Sequence, residues 1–193
     1  MEINALIIRS IEAQANSLLD LAHRDSNDYQ RAVELILGMS GKLVFTGMGK
    51  SGIIARKLAA TFSSTGVPSF FVHPGEAYHG DLGMIEANDV LFALSNSGET
   101  PELLNLLKYS RSKKVIGVSH SNDSSLASFA TVHLECKVDK EVCPLNLAPT
   151  TSTTAALVMG DAICAALMEL KKFSKDDFAQ FHPGGALGRS LLT

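Results

Sequence analysis

Five short apolar runs recur along the chain: "KLVFT" (42–46), "SFFV" (69–72), "DVLFAL" (89–94), "KVIGVS" (114–119) and "TVHLE" (131–135). Runs this short and this continuous read as strands buried on both faces. Helical stretches are expected between most of them. One spans about 51–65 with Ile54, Leu58 and Phe62 inward, another about 100–112 with Leu103, Leu106 and Leu107 inward. A long helix is expected over about 152–171 and a short one near 174–181. Two more precede the first strand: Ile3, Leu6, Ile7, Ile11, Leu18 and Leu19 share one helical face, and Tyr29, Ala32, Val33, Ile36 and Leu37 share another, before "GMSGK" breaks the pattern. Strands alternating with helices imply an α/β fold, a parallel sheet covered on both sides. The reading is one domain over 1–193, with N-terminal helices to about 38, a sheet-and-helix core over about 42–171, and a C-terminal helix and tail over 174–193.

The bulk properties exclude several functions. With 46% hydrophobic and 19% charged residues there is apolar material for a sizeable core. A net charge of −3, without long charge blocks, gives no footprint for nucleic acid or for an anionic membrane. The basic run Arg111-Ser112-Lys113-Lys114 falls at an expected helix end, where the dipole favours cations. Cys136, Cys143 and Cys164 form no C-x-x-C and are odd in number, so no disulfide framework is expected. The start carries Glu2 and breaks its apolar run at Arg9, unlike a signal peptide, and no stretch is read as approaching the roughly 18–20 apolar residues of a membrane span. A reduced, cytoplasmic protein is expected.

Parallel sheets bind ligands at the carboxyl ends of their strands, near the point where the strand order reverses. The first strand ends in "TGMGKSG", where Gly47, Gly49 and Gly52 satisfy G-x-G-x-x-G. A P-loop would need glycine at position 44, which is Val44, and a dinucleotide site would end the second strand on an acid, whereas "SFFV" is followed by His73. What remains is a glycine-rich turn at a helix start, suited to an anion, with Lys50 and Ser51 beside it. The third strand runs into "SNSGET", which brings Ser95, Asn96, Ser97 and Thr100 to a second helix entrance. Thr100 as N-cap before Pro101 is a helix-start signal. Capping needs only one of these hydroxyls, however, and a phosphate monoester could use them all. A third cluster, Thr150 to Thr154, opens the long apolar helix, inside which Asp161 is read as structural. The titratable residues His73, His79, Glu99, Glu102, Glu141 and His182 fall on loops or loop edges. The spacing of His73 and His79 is no recognised metal signature, and Ser97 lacks a nucleophile-elbow context.

Taken together, "GMGKSG", "VHPGEAYHGDLGM", "SNSGETPE", "KEVCPLNLAPTTSTTAALVMGDAI" and "FHPGGALGR" resemble the sugar-isomerase (SIS) domain of D-arabinose-5-phosphate isomerases. The resemblance implies a three-layer αβα sandwich with a five-stranded parallel sheet, and a homotetramer with active sites at subunit interfaces. It implies interconversion of D-ribulose 5-phosphate and D-arabinose 5-phosphate, supplying 3-deoxy-D-manno-octulosonate for lipopolysaccharide or capsule. Carried onto matching positions, Lys50, Glu102, Glu141 and His182 are catalytic, and Ser51, Ser95, Ser97 and Thr100 hold the phosphate. Gly49, Gly66, Val67, His79 and Asn96 complete the substrate-binding set, and His73 is a position that can hold a zinc not required for turnover. Many members of that family continue into a tandem pair of cystathionine-β-synthase domains, which this sequence does not include.

An aldose–ketose isomerase needs a base beside the carbonyl, a proton donor and positive charge near the developing oxyanion, with no redox cofactor. Lys50 fits the charge, and either Glu102 or His182 the base, with His182 favoured because an imidazole titrates near neutrality unaided. Two rival readings are a non-catalytic phosphosugar-binding module and a SIS isomerase for another sugar phosphate.

Overall fold

The computed structural model describes residues 2–24 and 27–184. In chain order the elements are α1 (Ile3–Ala22), α2 (Asp28–Leu37), β1 (Leu43–Gly47), α3 (Gly49–Ser64), β2 (Ser69–Val72) and α4 (Pro74–Ala77). A 3-10 turn (Asp81–Met84) leads to β3 (Val90–Leu94), α5 (Pro101–Tyr109), β4 (Val115–Ser119), α6 (Ser125–Phe129), β5 (Val132–Glu135), α7 (Thr151–Leu170) and α8 (Lys175–Phe181). The strands form one five-stranded sheet in the order β2-β1-β3-β4-β5, with every pair parallel. The chain winds outward from β1 to β2, then crosses back to β3 on the other edge of β1. The helices that follow β1 and β3 therefore leave opposite sides of the sheet and open a crevice where these two strands end.

Each strand face has its own helical layer. Leu43 and Phe45 of β1, Phe92 of β3, Ile116 of β4 and Leu134 of β5 pack under α1, α2, α3 and α7. Val44, Leu91 and Val115 face the other way, under α4, α5 and α6. Phe45 stacks on Phe92 at 5.0 Å between centroids and meets Phe62 of α3 edge-on at 5.1 Å. Burying a side chain of this size stabilises by about 1.5–3 kcal/mol. The sandwich expected from the sequence is present, with strand bounds within a residue or so of those read from the apolar runs. Helices α4 and α6, of 4 and 5 residues, were not expected, because they are too short to show a helical period. Residues 185–189 of the "HPGGALGR" block lie outside the described residues.

One reading is qualified by the structure and another corrected. The shared apolar face of α1 is real, but Ile3, Ile7, Ile11 and Leu19 on it are exposed and Leu21 is the buried residue of that helix. The chain also does contain a helix long and apolar enough to cross a membrane: α7, of 20 residues, reaches a mean hydropathy of 1.5. Here it serves as a core helix, with Ala155, Met159, Ile163 and Leu167 buried against the sheet layer.

The glycines after β1 explain their own spacing. A Cβ on Gly52 would stand 2.5 Å from the Gly47 carbonyl oxygen, and one on Gly47 would stand 2.9 Å from the Leu94 carbonyl oxygen. Both are needed for α3 to start against the strand ends. Gly49 has φ +54°, the left-handed region that a side chain disfavours. Gly52→Ala is therefore expected to destabilise the fold by about 1–3 kcal/mol through overpacking, read as a lowered urea midpoint; an unchanged midpoint would contradict this packing.

Candidate active site

β1 and β3 lie side by side, with Gly47 opposite Leu94, so the two polar turns beyond them begin together. Met48 occupies the cap position of α3 and makes no side-chain cap bond. Thr100 occupies that of α5, but its hydroxyl does not cap the helix either, contrary to the sequence reading. Instead Thr100 Oγ1 lies 2.9 Å from Ser95 Oγ, which is buried and accepts the Gly98 N–H at 3.1 Å. Ser97 Oγ, 3.5 Å from Ser95 Oγ, accepts the Glu99 N–H. Two adjacent helix starts thus carry no side-chain acceptor on their first N–H groups. The macrodipole and those N–H groups favour an anion at each.

A cavity of about 340 Å³ lies between the two turns. Lys50 and Ser51 line it from the first turn, and Ser95, Asn96, Ser97 and Thr100 from the second. Ser152 and Thr153 of α7 close another side. The volume suits one small ligand. Six of the expected site residues therefore converge on one space, and Gly49 forms the turn beneath Lys50. Two lining residues escaped the sequence reading. Ser119 and Cys136 end or follow β4 and β5, and their position at strand ends was the available signal. Burial pushes the Cys136 thiol up to about 12, against the pull of Arg24, so it is a neutral wall rather than a nucleophile.

The other expected residues lie elsewhere in the chain. Glu102 is exposed in the first turn of α5, two residues beyond Thr100, and is not part of the cavity lining. Glu99, unassigned from sequence, accepts the Ser125 N–H at 2.7 Å and so joins the second turn to α6, and the Ser125 hydroxyl, then its N–H, hold the carboxyl below the usual range. Glu141 anchors the start of α7: its Oε2 accepts the N–H (2.7 Å) and hydroxyl (2.9 Å) of Thr150 and the N–H of Ser152, and its Oε1 accepts the Ser152 hydroxyl. Burial alone would raise the Glu141 carboxyl, but these bonds outweigh it and leave it below its ordinary value.

His73 follows β2 at the same sheet edge as the cavity and caps α4, with Nδ1 accepting the Gly75 N–H at 3.2 Å. His79 is exposed just beyond α4. Among the described residues no three His, Cys, Asp or Glu side chains are placed to hold a metal. One imidazole is a quarter of a tetrahedral zinc set. The described residues of a single chain supply too few ligands at His73 to hold that ion.

Gly66, Val67 and His182 belong to the far end of the molecule. Gly66 and Val67 connect α3 to β2 at the amino edge of the sheet, where the Pro68 carbonyl accepts the Leu43 N–H. α7 starts at the cavity and ends at this far end, where Lys171 at its C-cap donates to the Gly66 carbonyl at 2.5 Å. Its 20 residues cover about 30 Å, whereas the 7 residues of α8 cover about 10 Å, too little to return. His182 ends α8 with its ring stacked 3.9 Å from that of Phe178 and Nδ1 2.8 Å from the Phe178 carbonyl oxygen, away from this chain's own cavity.

Comparison with known proteins gives a consistent picture. A family model described as the SIS domain matches residues 36–166. A Yersinia pestis protein named arabinose 5-phosphate isomerase KdsD is 51% identical over 94% of this chain and 56% of its own length. An Escherichia coli K12 protein of the same name is 54% identical over 91% of this chain and 54% of its own. The chain thus spans about half the length of these relatives. A solved structure from Escherichia coli CFT073, in complex with A5P, superposes with a TM-score of 0.89 at 44% identity, covering 95% of this chain and 100% of that one.

The anchoring of α7 carries a pH dependence. The Glu141 carboxyl is depressed in the folded state, so its contribution is present above the unfolded carboxylate range and lost as the pH falls through the folded value. Glu141→Gln is expected to cost about 1–3 kcal/mol at pH 7, with the gap to wild type closing as unfolding is measured at progressively lower pH below about 4.5. A gap that does not vary with pH would overturn the anchoring by charge.

Proposed function

The chain belongs to the SIS domain family, and we propose that it interconverts D-ribulose 5-phosphate and D-arabinose 5-phosphate, supplying 3-deoxy-D-manno-octulosonate synthesis for lipopolysaccharide or capsule. The observation that carries the reading is the convergence of two uncapped helix starts and the hydroxyls of Ser51, Ser95, Ser97 and Thr100 on one cavity beside Lys50. A phosphate monoester presents three oxygens to these donors, and the sugar extends past Lys50. Relatives about half identical and named for this activity, together with an A5P complex of the same fold, support the choice of sugar.

Isomerisation opens the ring, removes a proton from the carbon beside the carbonyl and returns it to the neighbouring carbon through an enediol. The Lys50 ammonium stabilises the enediolate oxygen as charge develops on it. Glu102 follows the cavity-lining Thr100 by two residues in the same chain, whereas His182 reaches a cavity only as a residue of another copy. We place the active sites between subunits of a homotetramer, with His182 of one copy shuttling the proton in the site of another and Glu102 as the alternative base. The exposed isoleucines of α1 give such an assembly an apolar surface to cover. Glu141 acts here by fixing the Thr150–Ser152 wall.

Incubation with D-ribulose 5-phosphate and a colorimetric ketose assay tests the activity directly. A binding module would leave the ketose unchanged, and a panel of pentose and hexose phosphates separates the remaining sugars. Lys50→Met is expected to lower kcat about 10²–10³-fold; normal turnover would remove it from the oxyanion role. Lys50→Met and His182→Ala chains, each inactive alone, are expected to regain activity when refolded together, because some mixed interfaces pair an intact Lys50 with an intact His182. No recovery, or a stable active monomer by light scattering, would overturn the shared site.

A further inference from the structure

Beside the phosphate turn runs a relay of side chains that the proposed reaction does not use. Ser119, 1% exposed, ends β4 at the cavity wall. Its Oγ lies 2.8 Å from Ser124 Oγ and 2.8 Å from His133 Nε2. His133 Nδ1 lies 2.8 Å from Asn122 Oδ1, and Asn122 Nδ2 donates to Glu135 Oε1 at 3.1 Å. The proton directions follow from the far end. A carboxylate only accepts, so the Asn122 amide nitrogen faces Glu135 and its oxygen faces the ring. Nδ1 of His133 therefore carries the proton, and a neutral ring offers Nε2 as an acceptor. The Ser119 hydroxyl donates to Nε2, and Ser124, which accepts the Ala127 N–H at 3.2 Å, donates to Ser119.

The relay bears on the anion site through Gly98. This residue, at φ +71°, is pressed so closely onto the pair that a Cβ would stand 2.4 Å from Ser124 Cβ and 3.2 Å from Ser119 Cβ. The turn is also tied there by Leu126 N–H to the Gly98 carbonyl at 3.0 Å and His120 N–H to the Asn96 carbonyl at 2.9 Å. We propose that His133 is a positioning residue for the phosphate site, holding the Ser119–Ser124 pair on which the Ser95–Thr100 turn rests. The line of serine, histidine and asparagine has the order of a nucleophile with its base. The Ser119 oxygen is buried and already engaged by three neighbours, however, which suits support rather than attack.

The ring can adopt two states. Burial lowers its proton affinity, opposed by the charges of Glu135 and Asp28. The other charged groups nearby are Arg24 at the end of α1, Arg31 on α2, which donates to the Thr131 carbonyl, and Asp123 in the turn; α6 contributes none. A protonated ring would donate from Nε2, and the Ser119 proton would turn to the Ser121 carbonyl, 3.1 Å away. A bound phosphate dianion favours the charged ring, and by linkage the charged ring favours the phosphate.

The inference rests on the phosphate-site reading and is tested with the full chain and D-arabinose 5-phosphate. The His133 ring resonances are expected to titrate at higher pH with the sugar phosphate than without it. His133→Leu is expected to raise KM about ten-fold at pH 7.5 with kcat within about two-fold. His133→Gln, which keeps an oxygen acceptor without titrating, is expected to restore KM. Its KM relative to wild type should then rise about three-fold as the pH falls below about 6.5. The substrate's own titration cancels in that ratio. If the sugar phosphate shifts the Ser95–Thr100 amides but leaves the His133 titration and the KM ratio unmoved, the relay is overturned while the phosphate site stands. If it shifts neither, both fall. The wild-type titration and the glutamine variant decide the matter even where the leucine variant does not fold.

Discussion

The site depends on β1 being paired in parallel along both edges. Its five residues are fully covered, with Leu43 and Phe45 turned to one helical layer and Val44 to the other. A strand so placed cannot receive both neighbours by crossovers that move the same way across the sheet, so the chain must reverse direction between β2 and β3. The reversal leaves a gap above β1 and β3, and whatever follows those two strands lines it. The polar content of two turns then decides what the gap can hold.

Backbone contacts set that geometry more than side chains do. Gly47, Gly52 and Gly98 each lie where a Cβ would collide with a neighbour, two against backbone oxygens and one against Ser124. These close approaches bring the glycine-rich turn, the hydroxyl-rich turn and the β4–α6 turn into one rigid wall. Donor groups held in place before the ligand arrives need no reorganisation to bind an anion or to stabilise a developing one. The hydroxyls of Ser95, Ser97 and Thr100 engage one another, and the helix starts stay open.

Much of this was legible because the signals were local. Apolar runs gave the strands, and long helices showed their period in Leu103, Leu106 and Leu107 or in Leu58 and Phe62. The hydroxyl clusters at strand ends pointed to an anion. Ser119, Cys136 and His133 were not legible, since a serine, a cysteine and a histidine on or just after β4 and β5 acquire meaning only when adjacent strands bring them together. Thr100 misled for the opposite reason: its sequence context is that of a cap, and Ser95, five residues earlier, took its hydroxyl.

By itself the sequence determined the layers, the parallel sheet and the suitability of two turns for a phosphate, because strand and helix periods and turn composition are properties of neighbouring residues. The resemblance of its motifs to a family supplied the sugar. Tertiary structure alone decided which expected residues share a space. It gathered Lys50, Ser51 and the Ser95–Thr100 turn around one cavity, tied Glu141 to the start of α7, and carried His182 about 30 Å down α7 and onto α8 at the opposite end. Distances between elements follow from strand order and helix length together, and no single stretch of sequence contains either.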